Sequence, residues 1–168
     1  MIPVYSFDPH ALVGPPRIAA LDPAHEPDLA RLLVGLDERS RYCRFLAAVN
    51  DRFLAQHAHD AARTAAFLAG AFIGRDLCGV AEAYVTGDGR SVEAAFVVDA
   101  AFRKLGFGTA LLDAALDWTR RADHRSLTLL FAPVNLPMRR MACRAGGRLV
   151  ALDGAIEATI ALCGISQP

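Results

Sequence analysis

Two cations and two glycines stand together in the run Arg103-Lys104-Leu105-Gly106-Phe107-Gly108. A helical pattern follows at once: Phe107, Leu111, Ala114 and Trp118 recur at helical spacing and make one apolar stripe. A helix start leaves its first backbone N–H groups without partners and carries partial positive charge. Glycines let a ligand approach the backbone with no Cβ in the way. With Arg103 and Lys104 adding full charge, the run has the chemistry of a pyrophosphate seat. It also fits an ordinary strand-to-helix turn with a surface Arg-Lys pair. Two acids accompany it in apolar strand patterns, Glu82 in LCGVAEAYV and Glu93 in SVEAAFVV.

Two familiar phosphate motifs fit poorly. A P-loop needs Gly-Lys-Ser/Thr, and Gly108 is followed by Thr109-Ala110. The dinucleotide fingerprint needs a third small residue where Leu111 stands. A third pattern fits better. Val97-Val98-Asp99, Arg103 and Gly106-Phe107-Gly108-Thr109-Ala110-Leu111-Leu112 resemble the acyl-CoA signature of the GNAT N-acetyltransferases, an Arg/Gln-x-x-Gly-x-Gly/Ala turn after the fourth strand. VEAAFVV is similar to the fourth strand of bacterial protein-lysine acetyltransferases of that family, with the acid at Glu93.

The resemblance implies acetyl-CoA as co-substrate, with no metal. It assigns the pyrophosphate turn to Arg103, Lys104, Leu105, Gly106, Phe107, Gly108 and Thr109. It assigns the pantetheine arm to the backbone of Phe96, Val97 and Val98, in a gap between splayed fourth and fifth strands. Asn135 matches an Asn that often touches the pantetheine or adenosine side, and it also fits as a helix cap. Arg139, Arg140 and Arg144 follow on that helix, either near the CoA 3′-phosphate or as surface charge. The implied reaction is N-acetylation of a primary amine, a protein lysine or a small molecule, by direct attack. The alternative is a non-catalytic acyl-CoA-binding or sensing domain of the same fold. A homodimer through the late strands is a further expectation from the family.

An amine with pKa ~10.4 is almost wholly protonated at neutral pH, so a base helps. Glu93 is the first candidate, by its match to the fourth-strand acid, and Glu82 the second. Strand alternation puts Glu93, Ala95 and Val97 on one face. Glu82 can otherwise face solvent or pair with an Arg. Many family members place a Tyr seven residues after the helix-start Asn, and here that position is Ala142. A thiolate of pKa ~8.5 leaves fairly well unaided. Tyr84 offers a phenol from another strand, and an N–H near Val98 is the expected oxyanion donor.

Composition narrows the rest. Hydrophobic residues are 54% of the 168, enough for one domain with a sizeable core. Formal net charge is zero, which argues against nucleic acid as a partner. The most apolar segment, 65–74, is about half of a membrane span, so no membrane is expected. The first residues carry no secretory pattern. The four cysteines form no C-x-x-C, which fits a reducing, cytoplasmic location. His57 and His59 form a lone H-x-H without nearby partners for a metal.

The elements that must position these residues follow from periodicity and breakers. Residues 1–16, with four prolines, read as an irregular arm, and 17–168 as one domain. A strand over 17–21 precedes a helix capped by Asp22 and Pro23. Asp37 to Val49 reads as a second helix, either selecting substrate, as in the SxxSRYxRF-type segment of many GNAT chains, or simply amphipathic with a solvated Arg face. Asp51 caps a third helix through Arg63. Strands are expected at 64–73, 77–86 and 92–98, then the long helix with an Asp117–Arg121 pair. A strand at 127–131, a helix from Pro137 to Ala145 and strands at 149–152 and 156–162 complete the chain. This order agrees with the GNAT fold, an α/β (α+β) arrangement. Its mostly antiparallel mixed sheet of about six or seven strands has a parallel splayed pair at the fourth and fifth, flanked by helices.

Overall fold

The computed structural model describes residues 16–162. The expected arm therefore falls, but for Pro16, outside the described residues, as does Cys163. Among the described residues seven strands form one sheet: β1 Arg17–Ala20, β2 Phe67–Ile73, β3 Asp76–Val85, β4 Ser91–Val98, β5 Ser126–Phe131, β6 Arg148–Leu152 and β7 Ala155–Ala161. Their order is β1-β2-β3-β4-β5-β7-β6, and every pair is antiparallel except β4–β5. The helices are α1 Glu26–Val34, α2 Glu38–Phe45, α3 Asp51–Thr64, α4 Phe107–Arg121 and α5 Leu136–Arg144. This is the mixed sheet with a parallel fourth and fifth strand that the sequence led us to expect.

The sheet divides the core in two. On one face Leu29, Leu32 and Leu33 of α1 and Leu54, Ala58 and Ala61 of α3 pack on Leu68, Val80 and Val97. On the other, Phe107, Leu111, Leu112, Ala115 and Leu116 of α4 pack on Ala81, Ala83, Ala94, Phe96, Leu127 and Leu129, with Met138 and Ala142 of α5. The small residues of β3 and β4 let α4 lie close to the sheet. The buried face of α4 runs through Leu112, Ala115, Leu116 and Thr119 as well as Phe107 and Leu111, while Trp118 is only partly buried.

Several boundaries differ from expectation for local reasons. Asp22 caps a single 3-10 turn, Pro23–His25, through Ala24 N, and α1 proper starts at Glu26. The second helix stops at Phe45, because Leu46 takes a left-handed conformation (φ 56°) that ends the hydrogen-bond ladder. The α4 surface pair forms between Asp117 and Arg120 at 2.9 Å, not Arg121, which instead donates to the Asp117 carbonyl.

Candidate functional site

The parallel ladder of β4 and β5 stops early. Its last registered pair is Ala94↔Leu129, although β4 continues to Val98 and β5 to Phe131. Beyond that point β5 stays paired with β7, out to Phe131↔Ile156. Strand pairing also decides which backbone groups of β4 face the gap. Ser91 O accepts from Thr86 N and Asp99 N donates to Cys78 O, so the odd-numbered residues turn their N–H and C=O toward β3. The even-numbered ones turn theirs toward β5. Past Ala94 these are Phe96 and Val98, whose edges face no β5 partner. Phe96 and Val98 thus carry the open edge, whereas Val97 bonds toward β3 and packs its side chain into the α1–α3 core.

Directly beyond this edge lies the glycine turn. Asp99 caps a short 3-10 turn over Ala100–Phe102. Lys104 (φ 64°) and Gly106 (φ 85°) are both left-handed, and the chain enters α4 at Phe107. No side chain caps this helix start. The first intrahelical bond at the start is Ala110 N to Gly106 O, so Phe107, Gly108 and Thr109 present N–H groups outward. Lys104 and Thr109 are exposed and Leu105 is partly buried. A Cβ at Gly108 would meet Met141 Sδ at 3.2 Å, so glycine there also makes room for α5. Uncapped donors, partial positive charge and a bare backbone fit a pyrophosphate.

Asn135 is the cap of α5, its side chain accepting from Met138 N at 3.2 Å. Arg139, Arg140 and Arg144 line an open surface depression on α5 with Leu136 and Cys143. Ala142 is fully buried and Cys143 exposed, so the thiol lies on a different side of α5 from the position of the missing phenol.

The two acids lie on one face of the sheet in opposite surroundings. Glu93 is exposed, opposite Tyr84 on β3 and Thr128 on β5, one residue before the strands part. Glu82 is 0% exposed. Its Oε2 accepts from Arg44 Nη2 at 2.8 Å, His57 Nε2 at 2.8 Å and Tyr84 OH at 3.2 Å. Burial alone would raise this carboxyl, but the Arg44 charge and the His57 contact outweigh it and hold it down at about 2. Such a group is a poor proton acceptor at neutral pH, and its second oxygen, Oε1, is buried with no protein partner, as is Arg44 Nε. The physical setting therefore sets Glu82 apart from a general base and makes it an anchor. Tyr84 is committed too. Burial, then the Glu82 charge, push its phenol well above the ordinary value, which removes it as a ready proton donor.

Sequence reasoning missed the partners of Glu82. Arg44 comes from α2 and His57 from α3. The His57 ring stacks on Phe53, with centroids 6.1 Å apart, and meets Phe45 edge-on at 5.1 Å. His59 turns instead to Glu26 at 3.0 Å. The two histidines of the H-x-H thus serve different carboxylates, and among the described residues no group of three or more metal-ligating side chains converges. Arg41 of α2 is likewise used internally. It donates to Val34 O and Leu36 O at the end of α1 and pairs with Asp51 at 2.7 Å.

The profile of the Acetyltransferase (GNAT) family matches residues 32–146, more than half of the chain. A search of curated proteins finds no significant match. Among solved structures, the GNAT domain of S. lividans PAT superposes with a TM-score of 0.79 at 21% identity, covering 88% of this chain and 90% of that one. The putative acetyltransferase yncA from Salmonella typhimurium, solved with acetyl-CoA, gives 0.70 at 15%, covering 92% and 98%. RimL, a ribosomal L7/L12 alpha-N-protein acetyltransferase in complex with coenzyme A, gives 0.70 at 16%, covering 92% and 97%. At these identities the structures speak for the fold.

Proposed function

The chain belongs to the GNAT acetyltransferase family, and on that premise we propose that it transfers an acetyl group from acetyl-CoA to a primary amine. One observation carries the reading: the β4–β5 ladder ends at Ala94↔Leu129, directly before an uncapped helix start at Phe107. An open strand edge next to free helix donors suits an extended amide arm that ends in a pyrophosphate. The two neighbours solved with acetyl-CoA or CoA support it.

In this reading the backbone of Phe96 and Val98 binds the pantetheine arm, and Phe107, Gly108 and Thr109 with Lys104 hold the pyrophosphate. Bound acetyl-CoA supplies an activated thioester. Glu93, exposed where the strands part, takes the proton from the acceptor amine, directly or through water. The N–H of Val98 is the donor for the carbonyl oxygen. Glu82 fixes α2 and α3 against β3 and takes no proton. No phenol serves as acid, and the thiolate leaves on its own at pKa ~8.5.

The acceptor is a protein lysine or a small amine, and a homodimer through the late strands belongs to the same proposal. Among the described residues no helix is long and apolar enough to cross a membrane. The free thiols of Cys43, Cys78 and Cys143 suit a reducing compartment, so we place the chain in the cytoplasm.

The test is a free-thiol assay with acetyl-CoA across a panel of amines and lysine peptides. Release of CoA with at least one acceptor is expected. Tight binding with no release on any amine would favour a non-catalytic acyl-CoA sensor.

A further inference from the structure

Arg103, the first cation of the turn, is held from two elements. Its Nε donates to Val98 O at 3.3 Å, on the open edge of β4. Its Nη2 donates to Ser40 Oγ at 2.6 Å, across 63 residues of sequence. Ser40 is only 6% exposed although it is polar and lies in the first turn of α2. Its single hydroxyl proton goes to Asp37 Oδ2 at 2.7 Å, which leaves its lone pair aimed at the guanidinium. Asp37 is itself fixed, since its Oδ1 accepts from Ser40 N at 2.8 Å as the cap of α2. It stands 4.0 Å from Arg103 Nη2, close enough to add charge attraction. The result is a chain of fixed groups, Asp37 to Ser40 to Arg103 to Val98 O.

We infer that Ser40, backed by Asp37, is a positioning residue of the co-substrate site, fixing the Arg103 guanidinium across the open end of β4 before any anion binds. The inference rests on the acetyl-CoA reading above. An arginine free to rotate must be ordered on binding, and one held in advance does not. Ser40 also ties the first turn of α2 to the turn that precedes α4.

The experiment is calorimetric titration of coenzyme A into the parent chain, Ser40→Ala, Arg103→Ala, the double variant and Arg103→Lys. Ser40→Ala should weaken binding about tenfold, as for a lost hydrogen bond to a charged group. Arg103→Ala should weaken it at least as much, and the double variant no more than Arg103→Ala alone. Arg103→Lys keeps the charge and leaves α2 intact but cannot reach Val98 O and Ser40 together, so it should resemble Ser40→Ala. The inference is overturned if Ser40→Ala or Arg103→Lys binds as the parent does. It is also overturned if Ser40→Ala costs as much again in the Arg103→Ala background, which would make Ser40 a support for α2 alone. A parent chain that binds no coenzyme A would instead overturn the acetyl-CoA reading, and this inference with it.

Discussion

Arg44 Nη2 stands 2.8 Å from Glu82 Oε2, with Glu82 wholly shielded from water. A buried pair of this kind adds little net stability against an apolar replacement, but breaking it strands a charge. Arg44→Met should therefore destabilise the chain by about 3–5 kcal/mol at neutral pH. Urea unfolding measures this, and a loss below about 1 kcal/mol would show that Glu82 is protonated or hydrated in the fold.

The same carboxyl gives a pH dependence of known sign. Its folded pKa, about 2, lies below the ordinary value of 4.5. Its contribution is thus fully present above the unfolded pKa and is lost as pH falls through the folded one. The parent should lose stability between pH 4.5 and 2, and Glu82→Gln should lack that part of the slope. Unfolding free energies at several acid pH values compare the two. Parallel curves would remove Glu82 as the titrating group.

These pairings mark where the sequence stopped being legible. The order of strands and helices was readable, because breakers such as Gly74, Gly87 and Gly146 bracket runs of clear period. A glutamate in the apolar run LCGVAEAYV read as a second candidate base, a solvent-facing acid or a partner for an Arg, but nothing local points to Arg44, 38 residues before it in the chain, or to His57, 25 residues before it. The parting of β4 and β5 was implied by the family resemblance alone and not by any local pattern. Side-chain alternation says which face a residue takes, while backbone parity toward β3 or β5 is set only once the strands pair. That parity is what distinguishes Phe96 and Val98 from Val97. The glycine turn was readable because its chemistry lies in contiguous residues. Its link to Ser40 was not, since a serine in a helix ordinarily reads as surface.

The two glycines of the turn should behave differently. Gly106 has φ 85°, where a Cβ is strained although nothing lies within 4 Å. Gly106→Ala should cost about 1–2 kcal/mol and lower the melting temperature by several degrees. Gly108→Ala meets only the flexible tip of Met141, at 3.2 Å, and should fold nearly as the parent does. Thermal unfolding decides, and equal effects at both positions would contradict the left-handed assignment.

For Glu93→Gln, turnover with a competent amine should fall about 100-fold with co-substrate affinity kept. A variant as fast as the parent at every pH would show that Glu93 is not the base.

The central claim is that the gap beyond Ala94 and the helix start at Phe107 form one acyl-CoA site. Calorimetric titration with acetyl-CoA tests it most directly, comparing the parent with Gly108→Trp, whose side chain starts 3.2 Å from Met141 and must crowd the helix start. The account predicts saturable one-to-one binding by the parent and none by the variant, with both chains folded. A flat titration for the parent, or equal affinity in the two, would contradict it.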